Sequence, residues 1–270
     1  MNKIIFTIIV LLAYLSGCSS SLQPIQADQD SPDKNGKEAK MFMIEHLSRA
    51  TAVLLSNKSD EEEDYRVFCS AVWISPDKMI TARHCAEAEL ENTELNEINE
   101  LLGIPPDLTT LPGTIIHYSN YDERDLKFNK NDKTPSMAVV IAYDKENDLA
   151  VLQSVTNTEH DYANLATSDV WIGQNVHIIG HSIGLQYNYF DGVISSTERN
   201  MRRFFRRNDK DVMMLHITAA VAPGNSGGGA FDEDGNIVGI CSFIALRASN
   251  ANFFVRFDKV KSLLIAENLY

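Results

Sequence analysis

The sequence is short of positive charge, of cysteine and of long apolar runs. It has 24 Lys and Arg against 37 Asp and Glu, a formal net charge of −13. This balance argues against a general nucleic-acid binder, which needs a basic face for phosphates. One apolar run, residues 4–15, is too short to span a bilayer comfortably, and no other segment is a candidate span. We also find no internal repeat, and we expect neither a metal nor a cofactor.

The amino-terminal residues have the pattern of an export signal. Residues 15–18 read Leu-Ser-Gly-Cys, which resembles the lipobox of bacterial lipoproteins. The resemblance implies cleavage before Cys18, acylation of Cys18 and, with Ser19 next, the outer membrane facing the periplasm. An ordinary cleaved signal with an incidental cysteine is the alternative. We predict a signal peptide over 1–17 and a lipidated, flexible tether over 18–40, where polar residues leave little to bury.

From about residue 50 the chain consists of short β-branched and aromatic runs separated by turn residues, which indicates an all-β barrel or sandwich. The runs are residues 51–55, 65–74, 137–142, 149–153, 175–179, 187–195, 212–218, 237–244 and 252–257. Residues 86–102 have helical spacing and predict a helical insertion. A short helix with Asp258 as its N-cap is expected at the carboxyl-terminal end.

The strongest local motif is Gly-Asn-Ser-Gly-Gly at residues 224–228. Glycines on both sides of Ser226 permit a sharp turn that aims two N–H groups at one point, as an oxyanion hole requires. A plain glycine-rich turn is the alternative. The motif also fits the Gly-x-Ser-x-Gly elbow of α/β-hydrolases, in which the histidine follows the serine. No histidine follows Ser226 in this chain, so that fold is excluded.

The candidate general bases therefore precede Ser226. His84 stands out because it ends an apolar run. His177 and His181 have the spacing of a helical zinc pair, but the residues between them indicate a strand and turn, so we expect structural roles. His216 is interpreted as a packing residue. The seven histidines are His46, His84, His117, His160, His177, His181 and His216.

Together with residues 224–228, two further motifs carry a resemblance. Residues 81–85 read Thr-Ala-Arg-His-Cys and residues 147–152 read Asn-Asp-Leu-Ala-Val-Leu. The three resemble the signatures of chymotrypsin-type serine peptidases, in that family's order of His, Asp and Ser. The resemblance implies two antiparallel six-stranded β-barrels with the active site in the cleft between them. The barrels would cover residues 41–160, and residues 161–270 with the last helix.

The resemblance also implies the roles of individual residues. Ser226 would attack the carbonyl and form an acyl-enzyme, His84 would act as general base, and Asp148 would orient the imidazole. The N–H groups of Gly224 and Ser226 would bind the oxyanion. Asp144 is the rival acid, but it lies in a solvated loop, whereas Asp148 leads directly into an apolar run and can be held rigid.

A disulfide beside the catalytic histidine is common in this family, and Cys69 and Cys85 span the corresponding interval. That pairing would leave Cys241 as the odd thiol, which we interpret as a buried small hydrophobe. Asn225 departs from the digestive members, which carry an Asp that pairs with an amino terminus made by zymogen cleavage. We therefore expect activity without proteolytic activation. The bacterial Deg/HtrA-like branch shares the Gly-Asn-Ser-Gly-Gly pattern, although we expect no PDZ domain here.

Alignment of the residues around Ser226 with those of chymotrypsin-type peptidases predicts the primary substrate pocket. It assigns Ala220 to the base and Ser242, Phe243 and Ile244 to the wall, a shallow apolar pocket for small aliphatic residues. A basic cluster is interpreted either as a solvated hairpin loop or as a surface for anionic lipid or an acidic partner. The cluster comprises Arg199, Arg202, Arg203, Arg206 and Arg207.

We therefore predict an exported serine endopeptidase that acts on protein or peptide substrates. A non-catalytic envelope binding protein on the same fold is the alternative. Ester hydrolysis or acyl transfer by the same machinery is a third hypothesis, because the chemistry at the carbonyl is shared.

Overall fold

The structure is a computed structural model that describes residues 32–56, 66–90, 115–121, 135–156, 158–183, 185–201, 212–244 and 251–270. The predicted signal peptide and Cys18 lie outside these ranges. The described chain begins with helix α1 (Pro32–Arg49), which starts inside the segment predicted as a tether. None of the described helices is both long enough and apolar enough to cross a membrane.

Six strands form a first closed antiparallel barrel. They are β1 (Thr51–Ser56), β2 (Arg66–Trp73), β3 (Lys78–Ala82), β4 (Ile115–Asn120), β5 (Ser136–Asp144) and β6 (Leu149–Ser154). Their order around the barrel is β1-β2-β3-β6-β5-β4. Helix α2 (Arg83–Leu90) follows β3 without a break.

Six further strands form a second closed antiparallel barrel. They are β7 (Asn175–Ser182), β8 (Leu185–Asn200), β9 (Met213–Ile217), β10 (Gly229–Phe231), β11 (Ile237–Ile244) and β12 (Asn252–Arg256). Their order is β7-β8-β9-β12-β11-β10, the same closure as in the first barrel. Helix α3 (Phe257–Ala266) follows β12. Both barrels belong to one compact unit, Met41–Tyr270.

The predicted fold class, two six-stranded antiparallel barrels, is confirmed. Each of the nine predicted runs corresponds to a strand, whereas β3, β4 and β10 were not predicted as strands. The predicted helix at 86–102 begins earlier, at Arg83, and the part beyond residue 90 lies outside the described residues. The N-cap prediction at the last helix was wrong. Arg256 is the N-cap, and Asp258 lies in the first turn, where it accepts a hydrogen bond from Arg256 Nε at 2.7 Å.

Strand β6 shows how the sequence builds the joint between the barrels. Successive side chains of a strand point to opposite faces. Ala150 and Leu152 join the core inside the first barrel. Leu149 and Val151 face the other way and join a cluster that includes Phe231 of the second barrel. Both faces of β6 are therefore buried, which explains its continuous apolar run and places its first residue at the boundary between barrels.

Candidate active site

The pairing of β3 with β6 brings His84 and Asp148 together. Ala82 at the end of β3 lies opposite Leu149 at the start of β6. His84 comes two residues after Ala82, in the first turn of α2, and Asp148 immediately precedes Leu149. The Arg83 N–H donates to the Asp148 carbonyl oxygen at 3.0 Å, which extends the ladder to the residue next to His84.

Asp148 holds His84 at two points. Its Oδ2 lies 2.8 Å from His84 Nδ1, and its Oδ1 accepts from the His84 main-chain N–H at 3.0 Å. Ser242 Oγ, on β11 of the second barrel, donates to the same Oδ2 at 2.5 Å. Asp148 has a φ of 56°, a conformation uncommon outside glycine that is retained where surrounding structure enforces it.

These contacts set the ionisation of the pair. Burial alone would raise the pKa of Asp148, but the hydrogen bonds and charge of His84, together with the Ser242 hydroxyl, outweigh it and hold the pKa below its usual value. An ionised carboxylate can only accept hydrogen bonds, so His84 Nδ1 must carry a proton. In the neutral imidazole the other ring nitrogen, Nε2, carries the lone pair that a general base uses. The His84 side chain is 43% exposed, so this nitrogen is not sealed in the core.

The rival acid, Asp144, has a local structural role. Its Oδ1 accepts from the main-chain N–H groups of Glu146 and Asn147 at 2.8 and 3.0 Å, and its Oδ2 accepts from Asn147 Nδ2 at 2.6 Å. Asp144 therefore organises the turn between β5 and β6, at whose end Asp148 lies.

Ser226 lies in the loop between β9 and β10, in a turn that depends on two glycines. Gly224 and Gly227 have φ values of 104° and 83°, which side chains rarely adopt. A Cβ at Gly227 would also collide with the Ser70 carbonyl oxygen and with Thr81 Oγ1. Any larger residue at Gly227 would therefore push the loop away from the first barrel.

The loop leaves two N–H groups available beside Ser226. Those of Asn225, Gly227 and Gly228 donate to the carbonyl oxygens of Ala222, Cys241 and Asn225, respectively. Those of Gly224 and Ser226 have no protein acceptor within the described ranges. Two such donors are what an oxyanion hole requires.

Main-chain contacts bring the Ser226 loop against the residues beside His84. The Ser70 N–H donates to the Ser226 carbonyl oxygen at 2.8 Å, and Cys85 Sγ lies 3.7 Å from that oxygen. Within the described part of the chain, no hydrogen bond joins the Ser226 hydroxyl to His84. Catalytic hydrogen bonds commonly shorten only when the substrate is bound.

The described cysteines comprise one pair and one free thiol. Cys69 on β2 and Cys85 on α2 form a disulfide, and Cys241 is a buried free thiol. Burial and the nearby Asp148 carboxylate raise the pKa of Cys241 to about 12, so this thiol remains protonated. A shared metal ion requires several ligand atoms close together. Among the described His, Cys, Asp and Glu side chains, one set of three has its ligand atoms within 4.8 Å of one another, and it consists of Cys69, His84 and Cys85. The disulfide occupies both sulfurs of that group.

The predicted pocket residues lie in two segments of the second barrel. Ala220 is exposed in the loop after β9, and Phe243 and Ile244 end β11. The Ser242 side chain is directed to Asp148, so the wall assigned to it could be formed by its main chain only. Of the basic cluster, Arg199 is exposed on β8, and the other four arginines lie outside the described residues.

The other candidate histidines make structural contacts. His177 Nδ1 lies 2.8 Å from the Tyr189 hydroxyl, and His216 Nδ1 lies 2.7 Å from Ser195 Oγ. His181 is 1% exposed, and its Nδ1 has no hydrogen-bond partner among the described residues. Burial lowers the pKa of His181 to about 4. His177 and His181 both lie on strand β7, as expected.

Three serines make contacts at the site that the sequence did not predict. Ser242 binds Asp148, Ser70 Oγ donates to the Gly224 carbonyl oxygen at 2.9 Å, and Ser182 Oγ accepts from Asn225 Nδ2 at 2.6 Å. The partners are 94, 154 and 43 residues apart in the sequence. Only the folded barrels bring them together.

Comparison with known sequences identifies relatives of the described barrels. The family described as trypsin-like peptidase domain matches residues 69–240. Protease Do-like 1 of the Arabidopsis thaliana chloroplast is 31% identical over 146 residues, which are 52% of this chain and 33% of that protein. The serine protease Do-like HtrA of Bacillus subtilis is 33% identical over 120 residues, 43% of this chain and 27% of that protein. The chain thus spans about a third or less of these relatives.

Solved structures share the fold over most of the chain. The active form of the Rv3671c protease of M. tuberculosis has a TM-score of 0.59 at 16% identity, covering 87% of this chain and 86% of that one. Deg5 has a TM-score of 0.56 at 20% identity, covering 84% and 92%, respectively.

Proposed function

The chain belongs to the family of trypsin-like peptidase domains, and from that premise we propose that it is a serine endopeptidase with Ser226, His84 and Asp148 as its triad. The observation that carries the proposal is the His84–Asp148 pair. Its ring nitrogen and carboxylate oxygen are 2.8 Å apart, and a second hydrogen bond fixes the His84 main chain. In the neutral imidazole this arrangement leaves Nε2 with a lone pair, next to a serine loop in which two N–H groups have no acceptor among the described residues.

In the first half of the reaction, Ser226 Oγ attacks the scissile carbonyl carbon while its proton passes to His84 Nε2. The carbonyl π electrons move to the oxygen, which accepts hydrogen bonds from the Gly224 and Ser226 N–H groups. The ionised Asp148 stabilises the imidazolium that forms. When the carbonyl is restored, the C–N bond breaks and the amine leaves with the proton from His84.

In the second half, a water molecule attacks the ester carbonyl of the acyl-enzyme and gives its proton to His84. The same two N–H groups receive the oxyanion. Collapse of this intermediate breaks the C–Oγ bond, and His84 returns the proton to Ser226. Asp148 remains ionised throughout, because the Ser242 and His84 hydrogen bonds favour its charged form.

We further propose a shallow apolar primary pocket. Ala220 would form its base, and the β11 segment of Ser242, Phe243 and Ile244 its wall. No carboxylate at the base would pair with a Lys or Arg side chain of a substrate. Peptides with a small aliphatic residue before the scissile bond should therefore be the preferred substrates.

The cellular setting is also a proposal. The apolar run at residues 4–15 and the cysteine at position 18 support export and acylation at Cys18. The Cys69–Cys85 disulfide agrees with an oxidising compartment. A relative from Halomonas elongata, 32% identical over 118 residues, carries the name of a probable periplasmic serine endoprotease. The enzyme would act on proteins of the cell envelope from a membrane anchor at Cys18.

The test is labelling of the purified protein with a fluorophosphonate probe, which reacts with activated serines. We expect labelling that is lost in Ser226→Ala and in His84→Ala. The matched carboxylate pair tests the acid: Asp148→Asn should slow turnover by about 10⁴-fold, because the imidazole loses its tautomer and its counter-ion. Asp144→Asn should keep wild-type labelling. A larger loss of activity in Asp144→Asn than in Asp148→Asn would assign the acid to Asp144 instead.

Two outcomes would replace the proposal. A folded wild-type protein that the probe does not label would favour the non-catalytic binding protein. Labelling accompanied by turnover of simple esters, with no cleavage of a peptide library, would favour ester hydrolysis.

A further inference from the structure

The residue before the nucleophile is fixed by a neutral hydrogen bond. Asn225 is fully buried, and its Nδ2 donates to Ser182 Oγ at 2.6 Å. Ser182 is itself 6% exposed at the end of β7. On its other side, the Asn225 amide lies so close to Gly180 that a Cβ there would collide with Asn225 Oδ1. The Asn225 side chain is therefore packed directly against the end of β7.

The residues on both sides of Ser182 contact the same loop. The Ile183 N–H donates to the Pro223 carbonyl oxygen at 2.9 Å. A Cβ at Gly224 would collide with the His181 carbonyl oxygen and would lie 2.8 Å from its ring carbon Cδ2. Residues 181–183 thus contact three successive residues of the loop, 223–225, including the glycine whose N–H is a proposed oxyanion donor.

The end of β7 carries a strained conformation that the fold maintains. Ile183 is β-branched and 75% exposed, yet its φ is 51°, which costs free energy and persists only where other contacts enforce it. Tyr187, on β8, has a φ of 54°, and its hydroxyl donates to the Ser119 carbonyl oxygen of the first barrel at 3.0 Å. The start of β8 is therefore attached to the first barrel. The end of β7 is attached to residues 223–225, the loop that carries the proposed oxyanion donor Gly224.

We propose that Ser182 is a positioning residue which, through Asn225, holds residues 222–226 in the conformation where the Gly224 and Ser226 N–H groups converge on one point. The inference rests on the proposed function and extends it. A neutral amide–hydroxyl pair needs no buried counter-ion, so the loop is ordered by the barrel itself. When one partner of a buried hydrogen bond is removed, the other buried polar group is left without a partner, and this lowers the stability of the folded conformation.

The test compares Ser182→Ala with Ser195→Ala, the same chemical change at a hydroxyl bonded to His216 on the same barrel. Turnover of a peptide or ester substrate gives kcat and KM. Hydrogen exchange of the 222–228 amides gives the order of the loop without reference to activity. We expect Ser182→Ala to lower kcat about ten- to a hundredfold with KM nearly unchanged, since oxyanion stabilisation acts on the transition state. Exchange at 222–228 should become about tenfold faster.

The control should change neither readout, and a double-mutant cycle with Asn225→Ala should show that the two losses of kcat are not additive. Unchanged kcat and exchange in a folded Ser182→Ala protein would overturn the inference. So would faster exchange with wild-type kcat, because the loop order would then not limit the reaction. A wild-type protein without turnover would refute the proposed function instead, and loop exchange alone would decide whether Ser182 orders the loop.

Discussion

His181 makes the stability of the fold depend on pH. Its side chain is buried, and burial lowers its pKa from 6.5 to about 4. In the unfolded chain this imidazole takes up a proton below pH 6.5, whereas in the folded chain it stays neutral until about pH 4. The unfolded state therefore binds more protons in that window, and the free energy of unfolding falls as the pH falls.

We expect His181 to remove about 3 kcal/mol of stability between pH 7 and pH 4, at 1.36 kcal/mol per unit of pKa difference. His117, whose pKa is also lowered by burial, contributes in the same direction. Urea denaturation at a series of pH values measures how the free energy of unfolding depends on pH. His181→Asn should flatten this dependence. A slope that is the same in His181→Asn and wild type would contradict the assignment.

At the residue scale, motifs in the sequence indicate candidate site residues, whereas contacts that depend on the fold leave no local signal. The sequence favours Asp148 over Asp144 because Asp148 leads into an apolar strand; in the structure Asp148 contacts His84, while Asp144 ends β5 and accepts hydrogen bonds from the following turn. Ser242 was interpreted as a pocket wall, whereas its hydroxyl binds Asp148 from another barrel. Registers between distant strands set such contacts, and local sequence carries little information about them.

At the scale of elements, the disulfide attaches α2, the helix that carries His84, to the first barrel. Cys69 lies on β2 and Cys85 on α2, 16 positions apart in the sequence. Closing a loop of this size restricts the unfolded chain and stabilises the fold by about 3 kcal/mol in the chain-entropy treatment. We expect the Cys69→Ala, Cys85→Ala double variant to lose about that free energy of unfolding.

The measurement is chemical denaturation with and without a reductant. Reductant should lower the stability of the wild-type protein to that of the double variant and leave the double variant unchanged. Equal sensitivity of both proteins to reductant would mean that another effect, and not this disulfide, is responsible.

The elements that the sequence did not predict are short or follow from pairing. Strand β10 has three residues, Gly229–Phe231, in a glycine-rich segment with low intrinsic strand preference. It is a strand because it pairs with both β7 and β11. The start of α2 was predicted too late, since the Arg83 and His84 N–H groups at its beginning bind Asp148, which lies far along the chain.

At the scale of the whole molecule, neither barrel contains the site alone. His84 and Asp148 come from the first barrel, while Ser226 and Ser242 come from the second. The apolar cluster shared by the two barrels holds them together, and Ser70 forms two hydrogen bonds across the joint, to Ser226 and Gly224. The resemblance to chymotrypsin-type peptidases implies the same division, since it assigns His84 and Asp148 to one barrel and Ser226 to the other.

This arrangement predicts an enzyme that is active without being cut. In zymogens that need cleavage, a new ammonium group pairs with an Asp before the nucleophile, but Asn225 is neutral and already bonded to Ser182. A new amino terminus would gain no ion pair at Asn225, so we expect the conformation of residues 222–226 not to depend on cleavage.

We expect the intact mature chain, verified by mass spectrometry before and after the assay, to turn over substrate at the full rate. Limited proteolysis within residues 19–64 should leave kcat within about twofold, because a twofold change corresponds to only about 0.4 kcal/mol. A protein that is inert until it is cut in that segment would show that a charged partner, and not the Ser182 hydrogen bond, orders the loop.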